Sequence, residues 1–116
     1  MENIMPHIVI EYSADTLNYE QLDKALKSTF DVCCGFDCIR PEAVKIRAHP
    51  VVNAYYGNGA TSFVHVTAHL LEGRSRVRKA EITRAILDNV MSEFPDIDTF
   101  SVDALEIDGN VYQKNK

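Results

Sequence analysis

The chain has 116 residues, with 17 acidic side chains against 12 basic ones for a formal charge of −5, and 46% of it is hydrophobic. That is the size of one ordinary globular domain. No window reaches the roughly 20 apolar residues of a membrane span, and Met1-Glu2-Asn3-Ile4 carries an acidic residue and no basic one, unlike a secretory leader. The acidic balance argues against the broad basic surface that holds nucleic acid, so an anionic ligand has to be met by a local cluster of cations.

The first alternating segment runs from Pro6 to Ser13, with Ile8, Ile10 and Tyr12 on one side and His7, Val9 and Glu11 on the other, which predicts a strand. Asn18 then suits the N-cap of a helix whose Leu22, Ala25, Leu26, Thr29, Phe30 and Cys33 share a face, and Gly35 is placed to end it. Three cysteines, Cys33, Cys34 and Cys38, fall here. Their odd number and the lack of a Cys-x-x-Cys make a disulfide framework or a thiolate metal site unfavourable. The expectation is small buried or loop thiols in a reducing compartment, with the cytoplasm as the default.

A second strand is predicted over about Ala43 to Val52, with Val44, Ile46 and Ala48 opposed to Lys45, Arg47 and His49, followed by a turn at Gly57-Asn58-Gly59. Ser62 to Leu71 alternates again, Val64, Val66, Ala68 and Leu70 against Phe63, His65, Thr67 and His69. A helix from about Ser75 carries a stripe of Ala80, Thr83, Leu87, Val90, Met91 and Phe94, widened by Ile82 and Ile86, and Pro95 stops it. The last strand is Thr99 to Ile107. The string is β-α-β-β-α-β, a strand-helix-strand unit met twice, with the halves joined near the glycine turn. This predicts an α+β fold in which two helices cover one face of a four-stranded mixed sheet.

The other face is then bare. It mixes Val9, Phe63, Leu105 and Ile107 with His7, Glu11, Lys45, Arg47, His49, His65, His69 and Asp103, a composition that suits subunit packing around polar sites better than a wet surface. His65 and His69 have the i, i+4 spacing of a helical metal pair, but on a strand they lie about 13 Å apart, too far for one ion, and no metal is expected. The basic run Arg74-Ser75-Arg76-Val77-Arg78-Lys79 reads mainly as the solvated face of a helix rather than a contact for nucleic acid. Arg74 stands apart, since it follows Gly73 where a strand hands over to a helix. There a guanidinium can join first-turn amides in holding a carboxylate, with Lys45 and Arg47 as further cations for a polycarboxylate.

Met5-Pro6-His7-Ile8-Val9-Ile10-Glu11-Tyr12-Ser13, Val44-Lys45-Ile46-Arg47-Ala48-His49, Phe63-Val64-His65-Val66-Thr67 and Leu71-Glu72-Gly73-Arg74-Ser75, in this order, resemble the 5-carboxymethyl-2-hydroxymuconate isomerase family of the tautomerase superfamily. The resemblance implies a tautomerase-like homotrimer whose sheets line its interior. It also implies a cofactor-free keto–enol isomerisation of an unsaturated di- or tricarboxylate dienol in the breakdown of aromatic acids. By the same resemblance Pro6 is the general base, Arg74 binds a carboxylate and stabilises redistributing charge, Lys45 and Arg47 anchor other carboxylates, and His7 and Phe63 are wall residues. The expected partner is thus a small carboxylate and further copies of the chain, without nucleic acid or membrane.

Two departures from the family pattern stand out. Lys45 takes a position where the family carries arginine, which removes a bidentate fork. Pro6 follows Met1-Glu2-Asn3-Ile4-Met5, and a proline nitrogen inside a peptide bond is an amide without a basic lone pair. Three readings follow: translation beginning at Met5, with residues 1–5 an extension to a domain that otherwise spans the chain; later trimming; or a protein that has left proline chemistry. The first is the expectation. The alternatives from other classes are a catalytically silent trimer or small-anion binding module on the same fold, and a ferredoxin-like interaction domain with the same element string. Sheet order separates the last of these.

Overall fold

A computed structural model describes residues 6–115. Four strands and two helices follow in the order β1 (His7–Ser13), α1 (Tyr19–Cys34), β2 (Lys45–Val51), β3 (Phe63–Leu71), α2 (Arg76–Glu93) and β4 (Thr99–Ile107). Both helices begin where the sequence offers a cap. Asn18 accepts from Gln21 N while the Gln21 side chain accepts from Asn18 N, and Ser75 accepts from Arg78 N.

The sheet order is β2-β1-β3-β4. β1 runs parallel to β2 and antiparallel to β3, and β3 runs parallel to β4. Each half is therefore a β-α-β unit, and the halves meet through β1 and β3 in antiparallel pairing. This excludes the ferredoxin-like arrangement, in which the two strands of each unit are not neighbours. The helices lie side by side, tied by Asn89 Nδ2 donating to Ser28 Oγ and Thr29 Oγ1. Beneath them Ile8, Ile10, Val64, Val66, Ala68 and Leu70 are fully buried against Ala25, Cys33, Ile82, Ile86, Val90 and Phe94. None of the described helices is long and apolar enough to cross a membrane.

Two expectations change. β2 starts at Lys45, not Ala43, because Pro41–Ala43 forms a single 3-10 turn with proline, whose φ is preset for helix, in its first position. The buried ridge of α2 is Ile82, Ile86, Val90 and Phe94, while Ala80 and Met91 are exposed and Thr83 and Leu87 half-buried. The helix is rotated toward its β-branched side, where Ile and Val fill the space over the β3 valines. Val77 and Met91 face outward as a result.

The passage from β3 into α2 depends on one backbone angle. Gly73 has φ +115°, a conformation that side chains oppose, with open space around the position a Cβ would take. Gly73→Ala is therefore expected to cost about 1–2 kcal/mol through backbone strain alone, with no clash. Urea denaturation of the two proteins measures it as a lower midpoint at unchanged slope.

Candidate functional site

Strand alternation and the one-sided placement of the helices expose a second face of the sheet, whose side chains form rows set by the register. His7 lies between Lys45 of β2 and His69 of β3, and Val9 lies between Arg47 and Thr67, with Asp103 beyond. Glu11 lies between His49 and His65, and His65 Nδ1 is 2.6 Å from Ser101 Oγ. Lys45, Arg47 and His7 thus come together at the end where β1 begins. No carboxylate pairs with Lys45 or Arg47 among the described residues. The local field is positive in a chain of net negative charge.

His7 is the hub. Its Nε2 is 2.8 Å from the hydroxyl of Tyr112, and its Nδ1 receives a longer 3.4 Å bond from Arg47 Nη1. Partial burial, then the charges of Arg47 and Lys45 and the neighbouring His69, lower its pKa below the ordinary 6.5. Tyr112 had no signal in the sequence: it lies beyond the last periodic segment. A turn carries it back over the sheet, held by Gly109 N donating to Glu72 Oε1, Asn110 N to Asp108 Oδ1 and Val111 N to Asp108 O.

Pro6 is fully buried at the same end, on the side of the sheet that Ile8 occupies, and its carbonyl accepts from Lys45 N, extending the β1–β2 ladder by one residue. Arg74 lies just past the end of β3 that pairs with the start of β1. Its Nη1 donates to Leu71 O at 3.0 Å and its Nη2 to Cys38 O at 3.1 Å, while Nε is buried without a partner. Two of its nitrogens thus clamp the loop before β2 to the end of β3, and the guanidinium is held in place before any ligand arrives.

Phe63 is elsewhere. It opens β3 at the far end, where its N donates to Ser13 Oγ and its ring meets Tyr56, roughly 23 Å along β1 from Pro6 by strand rise. Within one chain it lies too far from Pro6 to form a wall beside it. His65 and His69 sit on a strand, on one face and two rows apart. No three His, Cys, Asp or Glu side chains converge as metal ligands among the described residues. Cys33 is buried with its thiol pKa pushed up to about 12, and Cys34 and Cys38 are also free thiols. In the basic run, Arg78 meets Asp37 and Glu81 and Lys79 meets Glu106, pairings of a solvated helix face.

The family model for 5-carboxymethyl-2-hydroxymuconate isomerase matches residues 6–113. Among solved structures, a 5-carboxymethyl-2-hydroxymuconate isomerase from Deinococcus radiodurans R1 is similar with a TM-score of 0.82 and 21% identity, over 96% of this chain and 89% of its own. A fused 4-OT symmetric trimer gives 0.83 and 19%, over 94% and 93% of the two chains. A macrophage migration inhibitory factor-like protein from Entamoeba histolytica gives 0.75 and 12%, over 96% of each. These structural likenesses establish a tautomerase-like fold. No curated protein matches the sequence.

The lowered pKa of His7 carries a pH dependence of stability. The folded state disfavours the imidazolium, so it binds fewer protons than the unfolded chain, and stability falls as pH drops through 6.5 toward the folded value. Between pH 7.5 and pH 5.5 the wild-type Tm is expected to drop further than that of His7→Gln, which has nothing to titrate there. Parallel pH profiles of the two proteins would contradict the electrostatic account.

Proposed function

The chain belongs to the 5-carboxymethyl-2-hydroxymuconate isomerase family, and from that premise we propose that it ketonises an unsaturated polycarboxylate dienol of the 5-carboxymethyl-2-hydroxymuconate type, without cofactor, in aromatic-acid catabolism. Isomerisation is the class of reaction that membership brings. The observation that carries the finer reading is where the family match begins: its first residue is Pro6, and Pro6 stands at the end of the sheet that also holds Lys45, Arg47 and Arg74.

With its nitrogen free, Pro6 is a secondary amine among cations and apolar surface. Both disfavour its protonated form and bring its pKa toward neutrality, where a general base works best. It takes the enol proton, the electron pairs shift along the conjugated chain, and the proton returns to carbon, so that no atom is gained or lost. Arg74 binds a carboxylate and stabilises the negative charge as it spreads, while Lys45 and Arg47 anchor other carboxylates. Lys45, a point charge where a fork is usual in the family, gives the weaker anchor.

The working assembly in this reading is a homotrimer. The bare face supports it, since Leu105 is 48% exposed there and Val9, Phe63 and Ile107 are only half-buried. Burying that face between subunits shields apolar area and brings Phe63 of one subunit toward the Pro6 end of a neighbour. One observation favours a second reading: in the 116-residue chain the Pro6 nitrogen is an amide, which suits a small-anion binding trimer without catalysis.

The two readings part on one comparison, made by following the loss of dienol absorbance. A chain whose first residue is Pro6 is expected to turn over. The full chain and Pro6→Ala in the shortened chain should both be slower by roughly 10²–10⁴-fold, the usual worth of a general base. Equal rates for long and short chains remove Pro6 from the mechanism, and tight binding without turnover by the short chain selects the silent module. Arg74→Ala in the short chain should also depress turnover, with Tm recorded beside it because the same side chain holds the Leu71 and Cys38 carbonyls.

A further inference from the structure

The Tyr112–His7–Arg47 chain has a direction fixed by chemistry. A guanidinium has donors only, so where Arg47 Nη1 meets His7 Nδ1 the imidazole nitrogen is the acceptor and bears no proton. A neutral imidazole then carries its hydrogen on Nε2, which donates to the Tyr112 oxygen at 2.8 Å. Tyr112 acts as acceptor, and its own hydroxyl hydrogen is left to point elsewhere. Resting on the reading of Arg47 as a carboxylate anchor, we propose that Tyr112 is a positioning residue: through the tautomer of His7 it holds the Arg47 guanidinium in the orientation that meets a substrate carboxylate.

The geometry makes the arrangement sensitive to loss of either member. His7 and Arg47 are on neighbouring strands but one row apart, His7 opposite Lys45 and Arg47 opposite Val9. The arginine therefore has to lean along the sheet to reach the imidazole, and without an acceptor there its long side chain is free to sample other rotamers in water. The opposite tautomer, or the imidazolium, presents an N–H to the guanidinium and turns attraction into repulsion. The groups facing His7 are Lys45 and Arg47 from β2, His69 from β3 and Tyr112 from the tail. Glu11, on the same face of β1, is about 13 Å away. Nothing acidic on the facing strands opposes the neutral form.

The turn that carries Tyr112 is anchored away from β1, the strand that bears His7. The turn after β4 is pinned through Glu72, beyond the end of β3, and the ring of Tyr112 stands edge-on to the imidazole, 6.0 Å between centroids at 72°. Tyr112 reaches His7 across β3, and so joins the last residues of the fold to its first strand at the cationic end.

The test uses the full chain and does not depend on turnover. Imidazole nitrogen NMR of the wild type should show His7 neutral at pH 7 as the Nε2–H tautomer. Tyr112→Phe should weaken that preference, because Nε2–H loses its acceptor while Arg47 still favours a bare Nδ1, and Arg47→Gln should raise the pH at which His7 titrates. Binding of cis,cis-muconate, an unsaturated dicarboxylate, should weaken about 3- to 10-fold in Tyr112→Phe, the worth of one positioning hydrogen bond. It should weaken no further when Tyr112→Phe is combined with His7→Phe, since both act through one chain. A His7 that carries its hydrogen on Nδ1, or a Tyr112→Phe protein with unchanged tautomer and unchanged muconate affinity, overturns the proposal. Failure of the wild type to bind muconate at all strikes the polycarboxylate reading of the site instead, and the nitrogen spectra then decide whether the chain of bonds exists.

Discussion

β1 is hydrogen-bonded on both edges, parallel to β2 and antiparallel to β3, and the rest of the molecule depends on that double register. A strand slipped by one residue turns every side chain to the opposite face. Here such a slip would send Ile8 and Ile10 out and His7 and Val9 into the space beneath the helices. Burial of Ile8, Ile10, Val64 and Val66 without exposed area opposes it. The same register sets His7 beside Lys45 and directs the end of β3, with Arg74 after it, toward the start of β1. Packing of the core and placement of the cations are therefore one decision, made on opposite faces of one sheet.

The site is divided by the sheet. His7, Lys45 and Arg47 project from the uncovered face, whereas the ring of Pro6 lies on the covered side at the sheet's end and Arg74 is tied to backbone carbonyls beside it. A ligand that engages both groups has to bridge the rim of the sheet, which suits an extended molecule with charges at separated ends. At that rim the Nε of Arg74 is buried without a partner, and Lys45 and Arg47 have no carboxylate partner among the described residues.

The proposed chemistry turns on the nitrogen of Pro6. As an amide it carries neither a hydrogen to donate nor a basic lone pair, and only the Pro6 carbonyl joins the ladder; as a terminal secondary amine the same atom would be a base. The fold makes the difference large, since burial and nearby cations act on an amine's proton affinity and leave an amide's unchanged. A single peptide bond before Pro6 therefore separates the catalytic reading from the binding one.

Much of the fold was legible in the residues because its signals are local. Period-two alternation marks β1, β3 and β4 and assigns their faces, and Asn18 marks the start of α1, whereas the 3-10 turn at Pro41–Ala43 that delays β2 was not anticipated. The cationic pair Lys45 and Arg47 was equally visible, because strand parity alone puts both on the bare face. What only the tertiary structure decided depends on contacts between distant segments. The order β2-β1-β3-β4 rather than a ferredoxin-like one, the distance of Phe63 from Pro6, the tethering of Arg74 to Cys38 and the arrival of Tyr112 at His7 are all pairings across long stretches of chain, with no periodicity to announce them. Local patterning determines which face a side chain takes, and only the closing of loops between strands determines what it meets there.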